Sequence, residues 1–250
     1  MEPPSYPMLS SNPGYPAQVQ TRNFVPDKKL KIKPFKLRPQ SKRQEIMNGI
    51  TSGVPALGAI AIFGPLLMLA AQKGDIRHVI GFAVFGLATI FLFTASTIMH
   101  FHRSTGAVRP IYGFLDHFGI CVMIAGTYTP FCLVTLHGPF GWDLLLSVWT
   151  FAIAGIVLAY VYGERFMQSS TYAYVAMGWL FVIAAKPLAF RLTLPGVALL
   201  LAGGLAYMCG VIILEKKRIY HYHAVWHIFV ALGALLHLAT MVFYVLPDPH

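Results

Sequence analysis

The stretch VIGFAVFGLATIFLFTASTIMHF, residues 79–101, decides the fold. It runs for 23 residues without an Asp, Glu, Lys or Arg. A bilayer core about 30 Å thick is crossed by roughly 20 helical residues, so this stretch is long enough to span it. Working outward, comparable apolar stretches lie near 47–72, 111–136, 143–163, 172–190, 194–214 and 222–246, each set off by a short polar break. Several contain proline (Pro55, Pro65, Pro130, Pro187), which membrane helices accommodate through neighbouring contacts. The expected architecture is all-α: a seven-transmembrane helix bundle. Ala202, Ala206 and Gly210, four apart, suit close helix–helix approach.

Composition agrees. The chain has 250 residues, 56% hydrophobic and 11% charged. A soluble domain carries about 25% charged residues. The net charge of +10 does not point to nucleic acid, because nine of the nineteen Lys and Arg precede residue 44 and no basic-aromatic module follows them. Cys121, Cys132 and Cys209 all fall in apolar segments; an odd number without metal-type spacing reads as core packing.

Residues 1–44 form a separate region ahead of a membrane domain at 45–250. To about Pro26 it is rich in Pro, Ser, Tyr and Asn without hydrophobic periodicity, and reads as disordered. Lys28, Lys29, Lys31, Lys33, Lys36, Arg38, Lys42 and Arg43 follow, a basic run that serves as a topology signal or contacts anionic lipid. With the N-terminus in the cytosol, seven spans place fifteen Lys and Arg on the cytoplasmic side and four on the other. That asymmetry sets the orientation and puts the C-terminus on the far side.

Ionisable side chains inside spans are functional candidates by default. Asp116 is the one acidic residue well within a span. His223 and His227, one turn apart, share a helix face, as do Ser96 and His100. The alternating direction of the spans brings Ser96, His100, Asp116, His223 and His227 to one depth near the cytoplasmic side. Three neutral imidazoles that leave a fourth position for water are a catalytic type of zinc arrangement, and a nearby carboxylate can orient a ligand or take a proton. The HxxxH pair lacks the internal Glu of metalloprotease motifs, so a helix–helix hydrogen bond is the alternative. His237, ten residues beyond His227, reads as a hydrogen-bonding core residue, and His117 as lying outside the cluster. His78, His102, His137, His221 and His250 read as solvated, Glu45 and Asn48 as an interfacial polar cap, and Gly126–Pro130 as a bend.

The segments STIMH (96–100), LDHFGICVMIAGTYTPF (115–131), AMGW (176–179), KPL (186–188) and HYHAVWHIFVALGALLH (221–237) resemble the hemolysin III family. That family lies within the wider group containing the progestin and adipoQ receptors. The resemblance runs from about Glu45 to Val245. It implies a seven-helix fold with a cytosolic N-terminus and Zn2+ held by His100, His223 and His227, with Ser96 and Asp116 beside it. It extends to alkaline ceramidases in this constellation, which suggests hydrolysis of a lipid amide. Ser52 departs from the pattern, since a His commonly stands there.

Three functions follow. In the first, the protein is a zinc-dependent lipid-amide hydrolase of ceramide type; Asp116 acts as base or orients water, Ser96 hydrogen-bonds the oxyanion or the water, and the partners are membrane lipids and a lipid or sphingolipid substrate. In the second it is a receptor-like or regulatory protein with structural zinc. In the third, which takes the family name at face value, it is a membrane-perturbing cytolysin. The topology can be tested directly. A tag before Met1 is expected to be protected inside the cytosol and one after His250 reachable from the other side. Two tags on the same side would require an even number of spans.

Overall fold

The computed structural model describes residues 40–102, 109–162, 170–216 and 218–246. The disordered arm expected at 1–44 lies outside them except for its last five residues. Ser41 starts the first helix, α1 (Lys42–Lys73), through a reciprocal capping box: the Gln44 amide donates to Ser41 Oγ at 3.2 Å and the Ser41 amide to Gln44 Oε1 at 2.9 Å. The helix thus begins before the apolar span near 47, because Lys42 to Ile46 continue it. It runs unbroken through Pro55 and Pro65. After Gly74, Asp75 caps α2 (Ile76–Phe101).

The third span is α3 (Arg109–Pro130) followed by a wider π turn, Phe131–Thr135. Pro130 has no amide hydrogen to offer the helix ladder, and the winding loosens to the 2.8 Å bond from Leu136 N–H to Phe131 O. The bend expected at Gly126–Pro130 is therefore a change of helical winding at its end. Gly138, with φ 87°, turns the chain in the left-handed region before Pro139 opens α4 (Pro139–Tyr162). The fifth span is broken into α5 (Ser170–Trp179) and α6 (Phe181–Arg191). The Tyr128 hydroxyl donates to Gly178 O at 2.7 Å, a carbonyl that the break would otherwise strand in an apolar setting, while Met177 O accepts from the Leu180 amide at 3.3 Å. The last spans are α7 (Leu194–Glu215), capped by Thr193, and α8 (Tyr222–Thr240) with its π turn Met241–Val245.

Seven helices among the described residues are long and apolar enough to cross a membrane, and they coincide with the seven expected stretches. Their outward faces carry exposed Leu57, Leu87, Phe190, Leu194 and Leu235, as lipid contact requires. In lipid the helices gain little from hydrophobic association, so close packing holds them together. On α7 the buried small residues are Gly196, Gly203, Ala206 and Gly210; of the expected set Ala206 and Gly210 are buried, and Gly203 takes the place of Ala202 because the 3.6-residue turn shifts the stripe by one. Gly203 faces the His237 ring, and Gly210 faces Trp226 and Phe229. A Cβ at Gly203 would collide with that ring, an overpacking that costs about 1–3 kcal/mol. Cys121 and Cys132 are buried as expected, whereas Cys209 faces outward.

His78, expected in solvent, is buried. The His78 and Arg77 amides donate to Asp75 Oδ1, and His78 Nδ1 lies 2.8 Å from the same oxygen and 3.1 Å from the Asp75 amide nitrogen. Burial pushes the Asp75 carboxyl upward, but hydrogen bonding to the His78 side chain and to the two amides outweighs it and holds the group below its ordinary value. A depressed folded-state pKa means that the cap stabilises α2 above the unfolded value of about 3.9 and that this is lost as pH falls through the folded value. In thermal unfolding at graded pH, Asp75→Asn is expected to flatten the acid-side fall in midpoint seen in the parent protein.

Candidate metal centre

Helix pitch brings the histidines together. His100 closes α2, and His223 and His227 stand one turn apart at the start of α8. Ring centroids are 5.0 Å apart for His100–His223, 5.2 Å for His100–His227 and 4.7 Å for His223–His227. One ligand-capable atom from each lies within 4.8 Å of the others. His100 and His227 are buried and His223 is half-buried. The Nε2 atoms of His100 and His223 are buried and make no hydrogen bond.

The far side of these rings is held by α1. His100 Nδ1 lies 2.8 Å from Glu45 Oε2, a carboxylate that only accepts, so the Nδ1 proton is donated there and Nε2 faces inward. His227 Nδ1 donates to the Asn48 carbonyl at 3.1 Å and lies 3.2 Å from Thr51 Oγ1. Fixing the tautomer in this way is what metal-binding imidazoles require of their surroundings. Glu45 and Asn48 are therefore parts of the site and not the interfacial cap expected from their position. One signal was present: Glu45, Asn48, Thr51 and Ser52 fall at i, i+3, i+6 and i+7, a polar stripe on an otherwise apolar helix.

Ser96 Oγ lies 3.3 Å from His227 Nε2. Asp116 is buried, and with Ser96 and His227 it walls one cavity of about 350 Å³. Among the described residues no hydrogen bond joins Asp116 to the three histidines, so the carboxylate meets the cluster across cavity space. The remaining walls, drawn from α2 to α8, are mainly apolar. His117 is not one of the three histidines whose ligand atoms converge; its Nδ1 donates to Gly113 O at 3.0 Å. His237 is a buried core residue, also as expected, and bonds Leu200 O at 3.2 Å. Ser52 is fully buried; it donates to Asn48 O at 3.0 Å and lies 3.2 Å from Thr97 Oγ1. It therefore braces α1 against α2 beneath the site.

The donor set fits zinc. Three imidazoles are borderline ligands suited to that ion, and two of the inward nitrogens are buried orphans, which is costly unless something binds them. The family comparison bears on the same residues. The haemolysin-III related family matches residues 40–238, a range that holds Glu45, Ser96, Asp116 and all three histidines. The chain belongs to the haemolysin-III related family. Hemolysin-3 of Bacillus cereus is 41% identical over 83% of this chain and 94% of its own length. The Hemolysin-3 homolog of Bacillus subtilis is 39% identical over 83% and 97%. A more distant similarity, 26% over 66% of this chain and 71% of the relative, links the haemolysin-III chain to the monocyte to macrophage differentiation factor of Homo sapiens. No solved structure matches it.

Metal analysis of the purified protein tests the arrangement. About one zinc per chain is expected, most of it lost in His223→Ala or His227→Ala and retained in His237→Ala. Glu45→Ala is expected to weaken zinc affinity about 10–100-fold, the usual effect of removing the group that holds a ligand.

Proposed function

We propose that this protein is a zinc-dependent hydrolase of a lipid amide, embedded in the membrane with its N-terminus in the cytosol. One observation carries the reading: His227, one of the three converging imidazoles, lines a mainly apolar cavity together with the Ser96 hydroxyl and the buried Asp116 carboxylate. Apolar walls suit acyl chains, and these polar groups suit a head group. The orientation rests on the fifteen-to-four distribution of Lys and Arg.

Zinc bound at this site would supply Lewis acidity and bring the pKa of coordinated water to about 7. Asp116 accepts the proton of the attacking water and passes it to the nitrogen that leaves as the C–N bond breaks, giving a carboxylic acid and an amine. Ser96 donates a hydrogen bond to the oxygen that gains charge. Glu45 holds His100 in the required tautomer. The cavity walls keep bulk water away, which strengthens each of these interactions.

A receptor-like role with structural zinc draws on the burial of the His100 and His223 nitrogens and on the distant similarity to a differentiation factor. The names of the Bacillus relatives bring a third role, lysis, which red cells exposed to added protein would reveal. Asp116→Asn separates the first two, because it keeps shape and loses proton acceptance. Hydrolysis of ceramides is expected to fall about 10²–10⁴-fold while zinc content stays near that of the parent. Unchanged turnover in Asp116→Asn would refute the catalytic role given to that residue.

A further inference from the structure

Ten residues beyond His227 on the same helix, about 15 Å along the bundle, the cavity meets a second set of polar side chains. His237 is 7% exposed. Its Nε2 lies 3.2 Å from the Leu200 carbonyl, so that nitrogen carries the proton and Nδ1 is left with a lone pair. Nδ1 is buried without a partner, and so is the hydroxyl of Tyr207, whose ring packs edge-on to His237 with centroids 5.4 Å apart. The Thr127 hydroxyl, also on the cavity wall, commits its proton to the Met123 carbonyl at 2.8 Å and so is no donor to His237 Nδ1. Both Tyr207 and His237 contribute to the cavity wall. One acceptor and one donor are thus stranded side by side at mid-bilayer depth, where each unmade hydrogen bond is costly.

We propose that Tyr207 and His237 form a subsite for a hydroxyl group carried part-way along a lipid chain. A hydroxyl is the smallest neutral group that both donates, here to His237 Nδ1, and accepts, here from Tyr207. A charged group has no counter-charge at this depth. The surrounding walls are apolar, and 350 Å³ lies within the roughly 300–1,000 Å³ of small-molecule sites, so the remainder of the ligand is aliphatic. The subsite does not depend on zinc or on hydrolysis.

Methyl ricinoleate and methyl oleate differ only in a mid-chain hydroxyl, and their ester heads carry no charge. Binding of each to the full-length protein in nanodiscs, with and without a zinc chelator, tests the subsite. The parent protein is expected to prefer the hydroxylated chain by about tenfold, the scale of one or two buried hydrogen bonds. Tyr207→Phe, which removes one oxygen, is expected to bring the ratio close to one while leaving methyl oleate binding unchanged. His237→Leu is expected to do the same. Failure of the metal reading would alter neither ratio. Equal affinities in the parent protein, the result for a site that holds only water, would overturn the proposal. So would a preference that survives Tyr207→Phe.

Discussion

An imidazole can offer one chosen nitrogen only when the other is occupied, and much of this bundle follows from that constraint. The 2.8 Å contact between His100 and Glu45 satisfies it for one ring, and the Asn48 carbonyl satisfies it for another. Both partners come from α1, so α1 has to lie against α2 and α8 at a fixed rotation. Gly49 makes that approach feasible, since it faces the Phe101 ring at a distance that leaves no room for a side chain. Ser52, bridged to Thr97, holds the same seam one turn deeper. The orientation of two of the three histidines thus depends on a helix that contributes none of them.

The other organising demand is backbone satisfaction in an apolar medium. Proline at 130 and the interruption at Leu180 both disturb helix ladders, and each is answered locally. The first is taken up by wider winding at Phe131–Thr135, the second by the Tyr128 hydroxyl. The second answer comes from a neighbouring span, so the third helix is tied to the fifth where the fifth is broken.

The spans were legible in the sequence because length and apolarity alone define them, and the His100, His223 and His227 cluster because helix spacing and alternating direction suffice to bring it to one depth. Glu45 was not, because its role depends on how α1 is rotated against its neighbours, which hydropathy does not encode. The burial of His78 depends on a reciprocal cap with Asp75, and the break at Leu180 on a hydroxyl fifty residues away in sequence. In each case the deciding partner is a specific polar contact. Asp116 stood out as an intramembrane acid, and only the cavity shows how it and Ser96 share a space with His227.

The cavity walls are drawn from α2 to α8, whereas α1 supplies the groups that hold two of the histidines. What grips the ring and what shapes the chamber are therefore encoded largely in different parts of the chain. Substitutions that widen, lengthen or re-line the chamber can accumulate on α3 to α7 with the imidazole cluster left intact. Such a division lets the shape of the chamber change while the helices that bring the imidazoles together stay as they are.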